Sequence, residues 1–275
     1  MTPIQAIGLG LLQGLTEFLP VSSSGHLVLA QQFFGMGGDL LAFDIFVHFG
    51  TLLAVLAAFR RRIIILALGC LAALRSAIFE RTPLARVYAE SGELRTTLAL
   101  IVGSVPAGIT GFTLKDPIER LFSAPVPVLF ALAGTGIVLL ATFRARRGSG
   151  HVGLGRGLIV GVAQAIAILP GVSRSGATIS AALFLKVDRS EAGEFSFLLS
   201  VPAVAGATVL ALRDLPGGGA SLSFETIALG AASAFASGFA ALVLLMGIIR
   251  KGKIGYFGFY CIAASLAGGL YLLAR

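Results

Sequence analysis

Twice in this chain, 151 residues apart, an apolar run is broken by a proline and a knot of serines. Gly10 to Gly25 reads GLLQGLTEFLPVSSSG, and Gly161 to Gly176 reads GVAQAIAILPGVSRSG. Gln13 aligns with Gln164, and VSSSG with VSRSG. The copies differ where chemistry would: Glu17 faces Ile168, Ser23 faces Arg174 and His26 faces Ala177. A duplicated half, whose two copies give different groups to one site, accounts for both the match and the differences. The breaks also constrain the fold. Residues 2–18 are apolar but end at Pro20, and residues 25–36 stop at a glycine cluster. Each piece is too short to cross about 30 Å of hydrocarbon. Two half-helices joined by a polar loop make a re-entrant hairpin, which membrane depth tolerates only against protein or a wet cavity. The competing reading is one kinked span. A second hairpin covers 154–186, with its break at Pro170-Gly171.

Apolar runs long enough to span follow each hairpin, three apiece: 41–59, 96–114 and 124–143, then 191–212, 224–249 and 256–273. Residues 63–94 read as a surface helix and loop, with entry of 63–79 into the membrane as the alternative. Only 12% of the chain is charged and the mean hydropathy is +0.94, against about 25% charged in a soluble domain. The expected fold is therefore an all-α integral membrane protein with six transmembrane helices and two hairpins. It forms a single membrane domain of two repeats, about 1–147 and 148–275. An outer-membrane barrel would show alternating segments of about ten residues, and these are lacking. Nothing at the N-terminus reads as a removable signal peptide. The two cysteines, Cys70 and Cys261, lie in apolar surroundings and read as buried side chains.

The net charge of +8 does not point to nucleic acid, because the basic residues cluster at the ends of apolar runs. Sixteen of the 21 fall in 60–95, 144–156, 186–189 and 250–253. Four, Lys115, Arg120, Arg213 and Arg275, fall in the alternate connections and the C-terminus. That bias places the first set in the cytoplasm and both termini outside. Three spans per half is an odd number, so the repeats are inverted. Inverted repeats with broken helices place their site at the repeat interface near the midplane.

Gln13 and Glu17 share a face of the first half-helix. Ser22, Ser23 and Ser24 sit where the returning half-helix starts, a position that attracts anions. Ser173, Arg174 and Ser175 repeat this before a helix bearing Thr178. Two helix N-termini, several hydroxyls and a guanidinium fork describe a phosphate or diphosphate pocket. The plainer alternative is an ion pair of Glu17 and Arg174 that only pins the loops together. For catalysis, Ser23 is the candidate nucleophile, with His26 or Glu17 as its base and Arg174 stabilising charge. Attack by water or by His26 stays open. Gln13, Ser22, Ser24, Ser173, Ser175 and Thr178 are the candidate phosphate-binding residues. His48 reads as a satisfied polar group of the core, Asp44 and Glu194 as groups at an interface or helix N-terminus with a metal role as the alternative, and His151 as solvated.

At these residues the sequence resembles the undecaprenyl-diphosphate phosphatase family, also called the bacitracin-resistance protein family. The resemblance rests on Gln13-Gly14-Leu15-Thr16-Glu17 running into Phe18 to His26, and on Pro170-Gly171-Val172-Ser173-Arg174-Ser175-Gly176-Ala177-Thr178. It implies removal of the terminal phosphate of a C55 polyprenyl diphosphate, recycling the lipid carrier for cell-wall synthesis. It further implies the bacterial plasma membrane with the site open to the periplasmic side, bacitracin resistance, and a divalent cation. That cation, Mg or Ca, is expected with the substrate diphosphate, its protein ligands unassigned, with Glu17 as one candidate. A homodimer stays open. A lipid-phosphate transporter or flippase is the alternative on the same inverted scaffold. The type-2 phosphatidic-acid phosphatases share fragments with Ser24-Gly25-His26 and Ser173-Arg174. The histidine and aspartate they need further on are Ser180 and Phe184 here.

Overall fold

The computed structural model describes residues 1–36, 40–114, 117, 121, 125–213 and 223–273. Among these, the chain is helical apart from one isolated bridge, Gly150 to Val187. The first broken run forms α1 (Pro3–Phe18) and α2 (Ser23–Phe33). Then come α3 (Leu41–Ala58), α4 (Arg60–Phe79), α5 (Leu84–Glu90), α6 (Gly92–Thr113) and α7 (Pro125–Ala141). The second broken run gives α8 (Leu154–Ile166) and α9 (Arg174–Phe184). The chain closes with α10 (Arg189–Arg213), α11 (Phe224–Arg250) and α12 (Phe257–Leu273). α1 starts on a Thr2 cap with Pro3 at its first position, and Ser173 caps α9; each cap supplies an acceptor for otherwise unpaired N–H groups.

Six helical stretches are long and apolar enough to cross a bilayer: α4, α6, α7 with its 3-10 extension, α10, α11, and α12 with the 3-10 turn before it. Five coincide with expected spans. The expected span 41–59 is α3, which at 18 residues reaches about 27 Å. The sixth stretch, α4, falls where a surface helix was expected. Its contacts keep it at one end of the bundle. Arg62 pairs with Glu194 in the first turns of α10 at 2.6 Å, and Gly69 packs against Glu93 in the first turn of α6. Ile64, Leu68, Leu71, Ile78 and Phe79 stay exposed, an apolar face over a basic first turn, as in helices lying in a membrane interface.

The same end gathers the other basic loops. Gly150 exchanges backbone hydrogen bonds with Lys186 and Asp188, Arg250 donates to Ser190, and Gly153 lies beside Arg95 and Tyr88. Of the opposite set, Lys115, Arg120 and Arg275 lie outside the described residues.

Packing between the two broken runs is crossed. α1 lies in a groove of α11, where Gly10 meets Gly230 and Ser233 and Gly14 meets Ala234, Ser237 and Gly238. α8 lies in the equivalent groove of α6, where Gly157 meets Ala99 and Gly161 meets Gly103. Small residues let the backbones approach closely, as in membrane helix pairs. The small-residue face from Ala231 to Gly238 is thus filled within the chain by α1 and α3. Numbers rise together in both pairs, so α1 runs parallel to α11 and α8 parallel to α6. α11 finishes at the basic end and α6 begins there. α1 and α8 therefore point in opposite directions, the arrangement an inverted duplication predicts.

A Cβ at position 14 would sit 2.1 Å from Ser237 Oγ and 2.4 Å from the Ala234 carbonyl, whereas one at position 8 meets nothing. Gly14→Ala should destabilise the purified protein by about 1–3 kcal/mol, read as a lower midpoint of thermal unfolding. Gly8→Ala on the same helix should not.

Candidate active site

The two loops lie side by side, and a Cβ added at Gly176 would be 3.3 Å from Pro20 Cβ. Glu17 ends α1 with its side chain 4% exposed. Its Oε1 accepts a hydrogen bond from Nη2 of Arg174, the first residue of α9. Its Oε2 accepts from Ser23 Oγ at 2.6 Å and from Gln13 Nε2 at 2.9 Å. One buried carboxylate thus collects donors from both loops. Leaving either charge alone in an apolar interior would cost about 3–5 kcal/mol, so the pair ties the two broken runs together. Arg174 spends one N–H on Glu17, and its side chain as a whole is 25% exposed.

A further group faces the same oxygen. His48, on α3, places Nε2 3.9 Å from Glu17 Oε2. Its Nδ1 is 2.7 Å from the Asp44 carbonyl, and a carbonyl only accepts, so Nδ1 carries the hydrogen. Sequence reasoning ranked His48 as a minor polar group. The available signal was its place in an apolar span, since an ionisable residue there is a functional candidate by default. Asp44 accepts from Gln31 of α2 at 2.7 Å, and Glu194 pairs with Arg62, so both occupy the expected interfaces. His151, expected in solvent, meets Glu191 at 2.8 Å and stays largely exposed.

His26 does not act on Ser23 in this arrangement. Its Nδ1 is 2.9 Å from the Ser22 carbonyl and its Nε2 is 2.5 Å from Tyr260 Oη. Of the two candidate bases left open by the sequence, Glu17 is the one that accepts a hydrogen bond from Ser23 Oγ. Ser22 has φ +67 and a buried Oγ with no protein partner. Ser24 is half-buried in the first turn of α2. On the second loop, Ser173 Oγ caps Gly176 N and lies 3.2 Å from Ser175 Oγ. Thr178 Oγ1 donates to the Arg174 carbonyl and is fully buried. The second loop is held by Thr135 of α7, whose Oγ1 accepts from Ser173 N and reaches the Gly171 carbonyl.

The duplicated glutamines have parted. Gln13 turns to Glu17, while Gln164, facing Ile168, donates to the Leu199 carbonyl at 3.2 Å. Each keeps a buried Oε1 without a protein donor.

Two comparisons bear on this constellation. The pattern of the family described as bacitracin resistance protein BacA matches residues 6–267. The chain belongs to that family. Among relatives of this BacA-family chain is a protein named undecaprenyl-diphosphatase from Desulfosudis oleivorans. It is 43% identical over 274 residues, covering 99% of this chain and 98% of the relative. Proteins with the same name from Desulforapulum autotrophicum and Treponema denticola are 44% and 37% identical. The first match covers 94% of each chain and the second 98% of each.

Ser22 sits in the left-handed region, where glycine is unstrained and a branched side chain is not, and its hydroxyl makes no bond to lose. Ser22→Gly should keep its thermal stability. Ser22→Val should lose about 1–3 kcal/mol, measured by thermal unfolding of both variants.

Proposed function

We propose that this protein is a membrane phosphatase that hydrolyses undecaprenyl diphosphate to undecaprenyl phosphate and inorganic phosphate. The observation that carries the reading is the meeting of Ser23, Glu17 and Arg174, drawn from two separate loops, in a member of the BacA family. A buried pin between helices would need only the ion pair. The serine hydroxyl on the same carboxylate makes the cluster a nucleophile, its base and a cation.

Ser23 Oγ attacks the terminal phosphorus as its proton passes to Glu17 Oε2. The bond from phosphorus to the bridging oxygen breaks, and its electron pair leaves on undecaprenyl phosphate. Water then attacks the phosphoserine, Ser23 regains a proton, and inorganic phosphate departs. Phosphoryl transfer needs charge stabilisation more than covalent help. Arg174, the N-terminus of α9 and the start of α2 supply it. The unpartnered Ser22 Oγ and the half-buried Ser24 are the donors free to meet phosphate oxygens. Ser173, Ser175 and Thr178 shape the second loop, and Gln13 holds Glu17 in place.

The residues present do not form a resident metal cage. Among the described residues, no three His, Cys, Asp or Glu side chains cluster. Both oxygens of Glu17 already face N–H and O–H donors, so it does not fit a cation in this arrangement. A divalent ion belongs with the substrate, whose neighbouring phosphates bind it without a protein carboxylate.

The protein lies in the bacterial plasma membrane with its pocket on the periplasmic side. Support for that orientation comes from the basic loops gathered at one end, which the positive-inside bias assigns to the cytoplasm. α1 then enters from the outside and α8 from the inside, as two inverted repeats divided near residue 148.

Purified protein in detergent should release phosphate from undecaprenyl diphosphate with no second compartment, which a pure transporter would not do. Glu17→Ala and Arg174→Ala should each lower kcat by about 10²-fold or more while the protein elutes as a folded species. Ser23→Ala should fall by a similar factor, and Ser22→Ala by far less. Near-normal turnover in Ser23→Ala would remove it as nucleophile and favour water.

A further inference from the structure

The loop that presents Ser23 is held at two bend carbonyls, Pro20 from outside its own half and Ser22 by His26 of the same hairpin. α12 makes two contacts here, one to the Pro20 carbonyl and one to His26. Cys261 Sγ donates to the Pro20 carbonyl at 3.2 Å. Its neighbour Tyr260 meets His26 Nε2 through Oη at 2.5 Å, with the two rings stacked at 5.8 Å and 18°. His26 in turn reaches the Ser22 carbonyl at 2.9 Å. Between these holds lies Ser22, whose φ of +67 is unusual for a residue with a side chain. The Ser22 side chain does not hold that conformation, since its Oγ is buried without a protein partner. Ser23 follows directly, with its Oγ 2.6 Å from Glu17.

The hydrogen-bond roles are set by the carbonyl. It can only accept, so His26 Nδ1 carries a hydrogen. In the neutral ring Nε2 is then an acceptor, and Tyr260 Oη–H donates to it. Both ring nitrogens are spent on fixing the loop.

We propose that Tyr260 is a positioning residue: through His26 it holds the left-handed bend at Ser22 and so aims Ser23 at Glu17. This deepens the phosphatase reading and rests on it only for the rate measurement. Tyr260 does not touch the reacting atoms. It acts by locking His26 in one tautomer and one ring plane, while Cys261 holds the other side of the bend.

The test compares wild type with Tyr260→Phe, which keeps the stacked ring and removes only the hydroxyl. The first readout is nitrogen NMR of the 15N-histidine-labelled protein in detergent, with His26→Gln used to assign the His26 signals. Wild type should show a protonated Nδ1 and a hydrogen-bonded, unprotonated Nε2. Tyr260→Phe should lose the hydrogen-bonded Nε2 signature and populate both tautomers. The second readout is phosphate release from undecaprenyl diphosphate. In Tyr260→Phe, kcat should fall by about tenfold to a hundredfold, with KM changed less than about twofold. Unchanged His26 nitrogens in the variant overturn the proposal, and so does an unchanged kcat. Failure of the phosphatase reading looks different. Wild type itself would then release no phosphate, while the His26 signals would still decide whether Tyr260 holds the ring.

Discussion

The bond between Glu17 and Arg174 is the contact on which this structure turns. It joins the end of the first broken helix to the start of the last helix of the second. Two charges in an apolar interior must be paired. That requirement forces two distant parts of the chain into register. Once they are in register, the Ser23 hydroxyl and the Gln13 amide complete the same carboxylate. The cluster is therefore a structural knot, held together because a lone charge in an apolar interior is too costly.

Around this knot the two copies have specialised. Gln13 and Gln164 hold equivalent places in α1 and α8, yet only Gln13 has a carboxylate four residues on. With Ile168 in that position, Gln164 turns to a backbone carbonyl of α10. One copy contributes Ser23 and Glu17, and the other contributes Arg174. The loops are also braced differently. Thr135 holds the second through its hydroxyl, while Tyr260 and Cys261 hold the first.

Much of the fold was legible in the sequence, because hydropathy and the 151-residue repeat are direct records of bilayer thickness and duplication. The positions of Pro20 and Pro170-Gly171 located the bends, and the pairing of Glu17 with Arg174 followed from charge economy. The partner of the Ser23 hydroxyl was less legible. Ser22 enters α2 with a positive φ, Ser23 Oγ reaches Glu17, and His26 turns to Tyr260 of α12 instead. Backbone sign at one residue is not written in hydropathy. His48 and Tyr260 were missed for a related reason: both reach the site from other helices, and no local motif records such a contact. α4 shows the opposite limit. Its length and apolarity alone would allow a span, and only its contacts with Glu194 and Glu93 keep it at the bundle end.

The crossed packing of α1 against α11 carries a consequence for how the protein is made. The groove that receives Gly10 is built by Gly230 and its neighbours, and the groove that receives Gly161 was completed much earlier by Gly103. The second hairpin thus emerges from the ribosome to find its berth already in place. The first must wait in the bilayer with its glycine face uncovered until nearly the whole chain has been synthesised. Assembly of the pocket is a late event, closed by the C-terminal helices returning to the segment that was inserted first.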